Sequence, residues 1–430
     1  VPTGSATPDF YGGARLGANL FANSLLALDA RTGKRLWHFQ TVHHDLWDRD
    51  LPAAPNLVTL TRHPARIDAV AQITKSGFVF LFDRQTGQPL FPIEERPVPP
   101  SDLRGERAWP TQPFPLQPAP FARQSLRESD VTEPKRFGAL RRGGLFTPPS
   151  REGSIVLPGF DGGGEWGGAA VDPETAVLYV NASDVPWIAA MRASATIPPS
   201  TAAPRAGRAV YAAACAGCHG ADQRGRDRAP SLLGLRARKS AEQLQEVIER
   251  GRGFMPSFAG LPEAEKRALI EYLGYPAAGL SWHADEAVRS PYEFVGYERW
   301  RDSSGYPAIK PPWGTLSAID LNSGEYRWRI PLGEFAALTA RGVPITGTEQ
   351  YGGPIVTGGG LVFIAATQDA KFRAFDKRTG RLLWETTLPA PGYATPSTYA
   401  VDGKQYVVVA AGGGKLGSKS SDTYVAYSLP

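Results

Sequence analysis

Four stretches of this chain repeat one pattern of apolar and polar positions: Leu25–Gln40 (LLALDARTGKRLWHFQ), Phe78–Ile93 (FVFLFDRQTGQPLFPI), Leu316–Pro331 (LSAIDLNSGEYRWRIP) and Phe372–Leu388 (FRAFDKRTGRLLWETTL). Each opens on alternating or continuous apolar residues and then reaches an acid: Asp29, Asp83, Asp320 or Asp376. A Thr/Ser-Gly turn follows at Gly33, Gly87, Gly324 or Gly380, then an aromatic at one fixed offset from the acid: Trp37, Phe91, Trp328 or Trp384. Period-two patterning closed by a glycine that can take positive φ predicts a β-hairpin. The aromatic is expected to pack on a neighbouring sheet. Adjacent units repeat at a little over fifty residues, which suits one four-stranded propeller blade each. A fifth, looser unit lies at Gly153–Ala182, where SIVLPG and AVLYVN flank a glycine-rich turn. The chain can supply five or six blades. The expected fold is therefore mainly β, a β-propeller of four-stranded blades.

One region breaks the pattern. Arg205–Tyr275 is rich in Ala, Glu, Lys and Arg, and helical periodicity replaces the strands. Arg205–Ala214 reads as a helix with Gly207 and Tyr211 on one side, against which Tyr272 could pack. Ser240-Ala-Glu-Gln243 is a capping box opening a helix to about Arg250, and Pro262 precedes the helical run EAEKRALIEYL. The expected division is 1–202 first part of the propeller, 203–276 a small inserted all-α domain, and 277–430 the last part of the propeller. Pro-rich stretches at Pro92–Pro120 and Pro186–Pro204 read as long loops on one rim.

Composition narrows the classes. The 430 residues exceed one ordinary core, and 47 glycines with 39 prolines fit many short strands joined by turns. The net charge of +5 is scattered, with no basic stripe interleaved with aromatics, so nucleic acid is not an expected partner. No apolar run is long enough for a membrane span. The chain begins at Val1 without an initiator methionine or signal-peptide pattern, as a processed form or a piece of something longer would.

Both cysteines fall in Cys215-Ala-Gly-Cys218-His219, which excludes a structural disulfide framework. Two thiols at this spacing can form thioethers to haem vinyl groups, with His219 placed as proximal iron ligand. A zinc half-site and a redox dithiol are the alternatives, but a zinc site needs further Cys or His ligands that this domain lacks. Met255, in GFMPSFAG, is the expected second axial ligand. The domain resembles a class I cytochrome c over about seventy residues.

The stretch Thr41–Asp50 (TVHHDLWDRD) packs two histidines, three acids and a tryptophan between a predicted strand and Pro52. A dense polar loop at the end of a regular scaffold is a usual place for catalysis; a solvated, capped turn is the plainer alternative. With the repeats, this loop resembles the quinoprotein dehydrogenases that use pyrroloquinoline quinone (PQQ), nearest their glucose dehydrogenase branch. The matching stretches include FANSLLALDARTGKRLWHFQTVHHDLWDRDLPAAPNLV, GLFTPPSREGSIVLPG, EWGGAAVDP, YGGPIVTGGGLVFIAAT and GKQYVVVAAGG, and they cover nearly all of the chain outside the inserted domain.

That resemblance implies an eight-bladed family fold and assigns roles. Asp48 matches the base that accepts the substrate hydroxyl proton, and Lys75 matches the lysine on the quinone oxygens, where a cation stabilises developing negative charge. Asn181 matches a cofactor-contacting asparagine, and Asp369 an acid near the site. Trp166, flanked by glycines that permit close backbone approach, could line the cofactor pocket, with core or rim packing as the alternative. His43 and His44 belong to the motif, and orienting Asp48 is one option for them.

The implied cofactors are PQQ, haem c, and Ca2+ or Mg2+ whose family ligands would lie upstream of this chain. The expected partners are a sugar or polyol and an electron acceptor (a cytochrome, an oxidase or the quinone pool), in an exported, periplasmic setting. Membrane association is not specified. Gly414 stands where glucose enzymes carry a histidine, which leaves a cyclic acid such as quinate, or an alcohol, as alternative substrates. A propeller acting only as an electron-transfer or scaffold module is the rival from another class.

Overall fold

The computed structural model describes residues 1–62, 64–194, 207–225, 229–252, 255, 257–276 and 290–429. The chain divides into two compact units, Val1–Arg192 with Tyr292–Pro430, and Ala193–Pro291.

The first unit is a succession of antiparallel sheets. Ser24–Leu28 pairs with Arg35–Gln40, and the N-terminal residues add to its free edge: Val1 and Thr3 bond the backbone of Leu26 and Ser24. The next sheet is Asn56–Arg62, Ala65–Ile73 and Val79–Asp83. A four-stranded sheet then runs in the order Ala170–Asp172, Val177–Ser183, Gly314–Asp320, Glu325–Pro331. Its second and third strands are contributed from either side of the second unit, so the insertion falls inside one blade. Ile355–Val356, Leu361–Ile364, Lys371–Asp376 and Leu382–Thr387 make another four-stranded sheet, and Ser397–Val401, Lys404–Gly413 and Ser420–Ser428 a final three-stranded one.

The repeated motif closes hairpins and docks sheets. In the first unit Asp29 Oδ1 accepts from the backbone N–H of Arg31 and Thr32 and from the Thr32 hydroxyl. Asp83 and Asp376 are used in the same way. These acids serve turns rather than chemistry. Gly87 has φ +74°, and a Cβ there would lie 2.6 Å from the Trp37 ring; only glycine permits both the turn and that approach. Trp328 covers Gly380 likewise, and Phe91 covers Gly324. Three of the four aromatics thus pack on the turn of the next repeat, while Trp384 packs on Phe372 and Tyr427.

Two expectations need correction. Gly153–Ala182 is not one sheet: Ser154–Val156 pairs with Trp187–Ala189, whereas Val177–Ser183 joins the four-stranded blade. The glycine-rich segment between them is a crossover, which local alternation cannot distinguish from a hairpin. The Pro-rich stretches also contain strands, Ile93–Pro97 with Thr111–Pro115, and Trp187–Ala189. In a two-stranded ribbon both members are edges, where a missing N–H is tolerated.

In the second unit Gly207–Ala214 is helical with Val210 and Tyr211 buried. Gly207 lies so close to the helix Glu263–Tyr272 that a Cβ would overlap the Ala268 carbonyl, and the Tyr211 and Tyr272 rings are 5.4 Å apart. Ser240 caps Ala241–Arg250 with the reciprocal Gln243 bonds of a capping box. The expected helix start at Arg205, Pro186–Pro204 beyond Ser194, and the Gly253 and Pro256 flanks of Met255 lie outside the described residues.

Candidate active site

The loop Thr41–Asp50 leaves the outer strand Arg35–Gln40 and is organised around Asp45. One Asp45 oxygen accepts from Trp47 N (2.8 Å), the other from Arg49 N (2.6 Å), Asn23 Nδ2 (2.8 Å) and Ser5 Oγ (2.5 Å). His44 bonds the Gly17 carbonyl through Nδ1 and the Glu106 carboxylate through Nε2, both at 2.8 Å, and Glu106 also accepts from Gly12 N. His43 bonds Gln40 and Glu95. Both rings therefore anchor the loop, and their described bonds do not reach Asp48. Trp47 is buried and donates to the Thr147 carbonyl at 2.7 Å.

This scaffold holds Asp48 at φ +56°, a left-handed conformation uncommon outside glycine and asparagine-like residues and costing of order 1 kcal/mol or more. Arg49, fully buried, explains how it is sustained. Its guanidinium donates to the carbonyls of Lys75 (3.3 Å), Gly159 (3.0 Å) and Pro158, stitching three loops together.

Lys75 lies in the turn Thr74–Phe78 between two strands of the second sheet, beneath a glycine run. Gly163 N and Gly164 N donate to the Lys75 and Thr74 carbonyls. Gly162 has φ +90°, and a Cβ there would fall 2.5 Å from Lys75 Cγ. The side chain is thereby buried, with Nζ 3.2 Å from Asp48 Oδ2, 2.5 Å from Asp50 Oδ1 and 5.1 Å from the Trp166 ring centre.

The electrostatics follow. Burial pushes the Asp48 carboxyl up to about 7; Lys75 opposes the rise, while Asp50, Asp45 and Asp9 add to it. Burial pushes the Lys75 ammonium down, but Asp48 and Asp50 outweigh it and hold the group charged. Burial beside Asp161 raises Glu165 to about 9, against the pull of Lys415 and Lys75. The site thus contains a carboxyl poised near neutrality and a fixed cation beside it, the pairing that proton abstraction needs.

Trp166, next to Glu165, is 58% exposed. Its Gly167 neighbour is pressed against Gly352, with Thr395 bonding Gly167 O and Gly353 N. Asn181 is buried in the strand Val177–Ser183 and donates to Gly352 O at 3.2 Å, bracing the same junction. Lys415 follows Gly414 (φ +80°) and places Nζ 3.6 Å from the Tyr351 ring centre and 5.8 Å from that of Trp166. An exposed indole between two lysines suits a flat, anionic, aromatic cofactor, and the buried Glu165 Oε1 without a hydrogen-bond partner leaves an acceptor or donor for it. Asp369 belongs to a different network: it pairs with Arg373 (2.5 Å) and accepts from Thr367 Oγ1, Lys371 N and Glu334 N.

In the second unit Cys215 and Cys218 are unpaired thiols, Cys215 at the start of the short helical turn Ala216–His219 and Cys218 within it. His219 Nδ1 donates to the Pro230 carbonyl at 2.9 Å, which fixes the ring and leaves Nε2 to serve an iron, the usual arrangement of a histidine ligand. Met255 is held by two backbone bonds with Arg252. This donor set fits a covalently held haem.

Two families account for these two units. Residues 1–223 and 259–407 match the β-propeller domain of the PQQ glucose/ethanol/alcohol dehydrogenases. The chain belongs to that quinoprotein family. Residues 202–273 match subunit III of the cbb3-type cytochrome c oxidases. The family members it resembles include the quinoprotein glucose dehydrogenase of Escherichia coli, 34% identical over the whole of this chain and 47% of that protein. The quinate/shikimate dehydrogenase (quinone) of Acinetobacter baylyi is 31% identical, again over the whole chain and 47% of that protein. The glycerol dehydrogenase large subunit of Gluconobacter thailandicus is 31% identical, covered to 52%. The chain spans about half the length of these relatives. Among solved structures, the quinohemoprotein alcohol dehydrogenase from Comamonas testosteroni superposes with a TM-score of 0.50 at 20% identity, covering 96% of this chain and 42% of that one; that likeness concerns the propeller fold.

Sequence reasoning did not single out Arg49, Asp50, Glu106, Glu165 or Lys415. Arg49 and Asp50 stand inside the WDRD motif, and Glu165 inside EWGG, so their proximity was legible although their partners were not. Glu106 meets His44 across 62 residues of chain, and nothing local announces that. Among the described residues no helix is long and apolar enough to cross a membrane, and no cluster of three or more His, Cys, Asp or Glu is arranged to hold a metal.

Proposed function

We propose that this chain is the substrate- and cofactor-binding part of a quinohaemoprotein dehydrogenase. It oxidises a sugar or polyol CH–OH group with PQQ and passes the electrons to its own haem c and on to an external acceptor. The observation that carries this reading is the Asp48–Lys75 contact of 3.2 Å beside the exposed Trp166 ring.

PQQ, when bound, supplies the two-electron acceptor for the hydride leaving the substrate carbon. Trp166, Lys75, Lys415 and Asn181 are the residues that would hold it. Asp48 accepts the hydroxyl proton, and its neutral-range titration lets it take up and release that proton near pH 7. Lys75 faces the carboxylate with a fixed positive charge and stabilises negative charge arising at the oxygen atoms beside it. Cys215 and Cys218 would attach the haem, and His219 and Met255 would hold its iron. Covalent haem of this kind together with PQQ supports a periplasmic setting for the working protein.

The test is substrate-dependent haem reduction in full-length protein loaded with haem, PQQ and calcium. Ring-shaped and open-chain polyols, glucose and a cyclic hydroxy acid form the panel. Growth of the reduced α-band with at least one of them supports the reading; no reduction by any, with haem and PQQ both bound, contradicts it.

A further inference from the structure

Beyond Asp48 and Lys75, one exposed aromatic packs on a residue tied to the Asp48 loop. Tyr297 stands on the segment Tyr292–Arg299, just after Gly296, whose φ of +127° turns the chain. Its ring is edge-on to Phe10 (5.8 Å), Phe160 (5.2 Å), Trp187 (6.1 Å) and Phe294 (5.2 Å). Four perpendicular aromatic contacts fix its orientation, yet 57% of the residue remains in solvent.

A lone exposed aromatic is ordinary on a protein surface. Two relationships set this one apart. Phe160 directly follows Gly159, whose carbonyl receives Arg49, the neighbour of Asp48, so the platform under Tyr297 is tied to the loop carrying the candidate base. Partial burial raises the Tyr297 phenol to about 12, and the charges acting on it most strongly thereafter are those of Asp48 and Asp9. Two residues on, Arg299 lies 4.2 Å over the Trp187 ring and is held by Glu349 (2.7 Å) and Asp161 (2.9 Å). The segment on which Tyr297 stands is therefore locked on both sides.

We propose that Tyr297 is the platform on which the carbon skeleton of the substrate lies while its hydroxyl meets Asp48, and that this ring makes the site favour cyclic polyhydroxy substrates over open-chain ones. The inference rests on the dehydrogenase reading and deepens it. The electron-rich face of a phenol ring attracts the electropositive C–H edges of a ring-shaped polyol laid flat against it; an open-chain polyol offers no such continuous face.

The experiment compares KM for a ring-shaped polyol and for glycerol in wild-type, Tyr297→Ala, Tyr297→Leu and Tyr297→Phe, using the full-length PQQ- and haem-loaded protein. The expected result is that Ala and Leu raise the ring-to-glycerol KM ratio by roughly tenfold, and that Phe, which keeps the ring, restores it. Tyr297→Leu keeps the apolar packing if Tyr297→Ala melts without cooperativity. An unchanged ratio in a folded Ala or Leu variant overturns the proposal. A wild-type protein that oxidises neither of these but another member of the panel overturns the platform alone; one whose haem no panel member reduces, with haem and PQQ both bound, overturns the dehydrogenase reading, and the platform with it.

Discussion

The ammonium of Lys75 lies 3.2 Å from the carboxylate of Asp48, inside a turn that the glycine run Gly162–Gly164 closes from above. Two opposed pressures meet there. Burial and three neighbouring acids push the Asp48 carboxyl toward neutrality, and the lysine holds it back. Replacing Lys75 by Met removes the opposing charge and leaves Asp48 and Asp50 facing each other. The expected outcome is a further rise of the Asp48 pKa and a loss of about 3 kcal/mol of stability, read from denaturant unfolding, together with weaker PQQ binding by equilibrium dialysis.

The pH dependence has a definite sign. The proton-accepting form of Asp48 is the carboxylate, and it is lost as pH falls through about 7. kcat/KM should therefore fall about tenfold per pH unit below that point, and in Lys75→Met the same limb should move to higher pH. A limb that moves to lower pH in the variant would contradict the assigned role of the lysine.

Gly162 tests the cradle. Alanine there must adopt φ +90° and place a Cβ 2.5 Å from Lys75 Cγ. Gly162→Ala should cost about 2 kcal/mol in stability and at least a tenfold loss of activity, because the lysine shifts off Asp48. Gly358, which has open space around it, is the control: Gly358→Ala should leave both near wild-type.

The sheet contacts make a separate prediction. Trp328 covers Gly380 of the next sheet and donates its indole N–H to the Lys377 carbonyl at 3.2 Å. Trp328→Ala should lower stability by about 3 kcal/mol, read as a reduced unfolding midpoint, while the haem spectrum of the inserted unit stays as in wild-type.

How much of this was legible in the sequence depends on the range of the interactions. Hairpins such as Asp29–Gly33 are set by residues three or four apart, and the acid, turn glycine and aromatic at fixed offsets expose them. The Ser240–Gln243 cap is equally local. By contrast, the partition of Gly153–Ala182 between two sheets depends on Trp187–Ala189 and Gly314–Asp320, and the second lies beyond the inserted unit. Likewise Asp48 and Lys75 could be marked by likeness to a family, but not the Arg49 bonds to Pro158 and Gly159 that hold Asp48 in its left-handed conformation. Asp369 shows the converse: its match to an acid near the site carried no information about Arg373, four residues on, which takes up its charge.

The proposed electron path starts at Asp48 and ends at the haem on Cys215 and Cys218. The most direct measurement is the rate of haem reduction after rapid mixing of oxidised, PQQ-loaded protein with substrate, for wild-type and Asp48→Asn. Asparagine keeps the size of the side chain and removes its basicity, so the rate should fall by a factor of about 10² to 10⁴, with haem content and the unfolding midpoint unchanged. Equal rates in the two proteins would contradict the account, because the proton would then be leaving by a route that Asp48 does not serve.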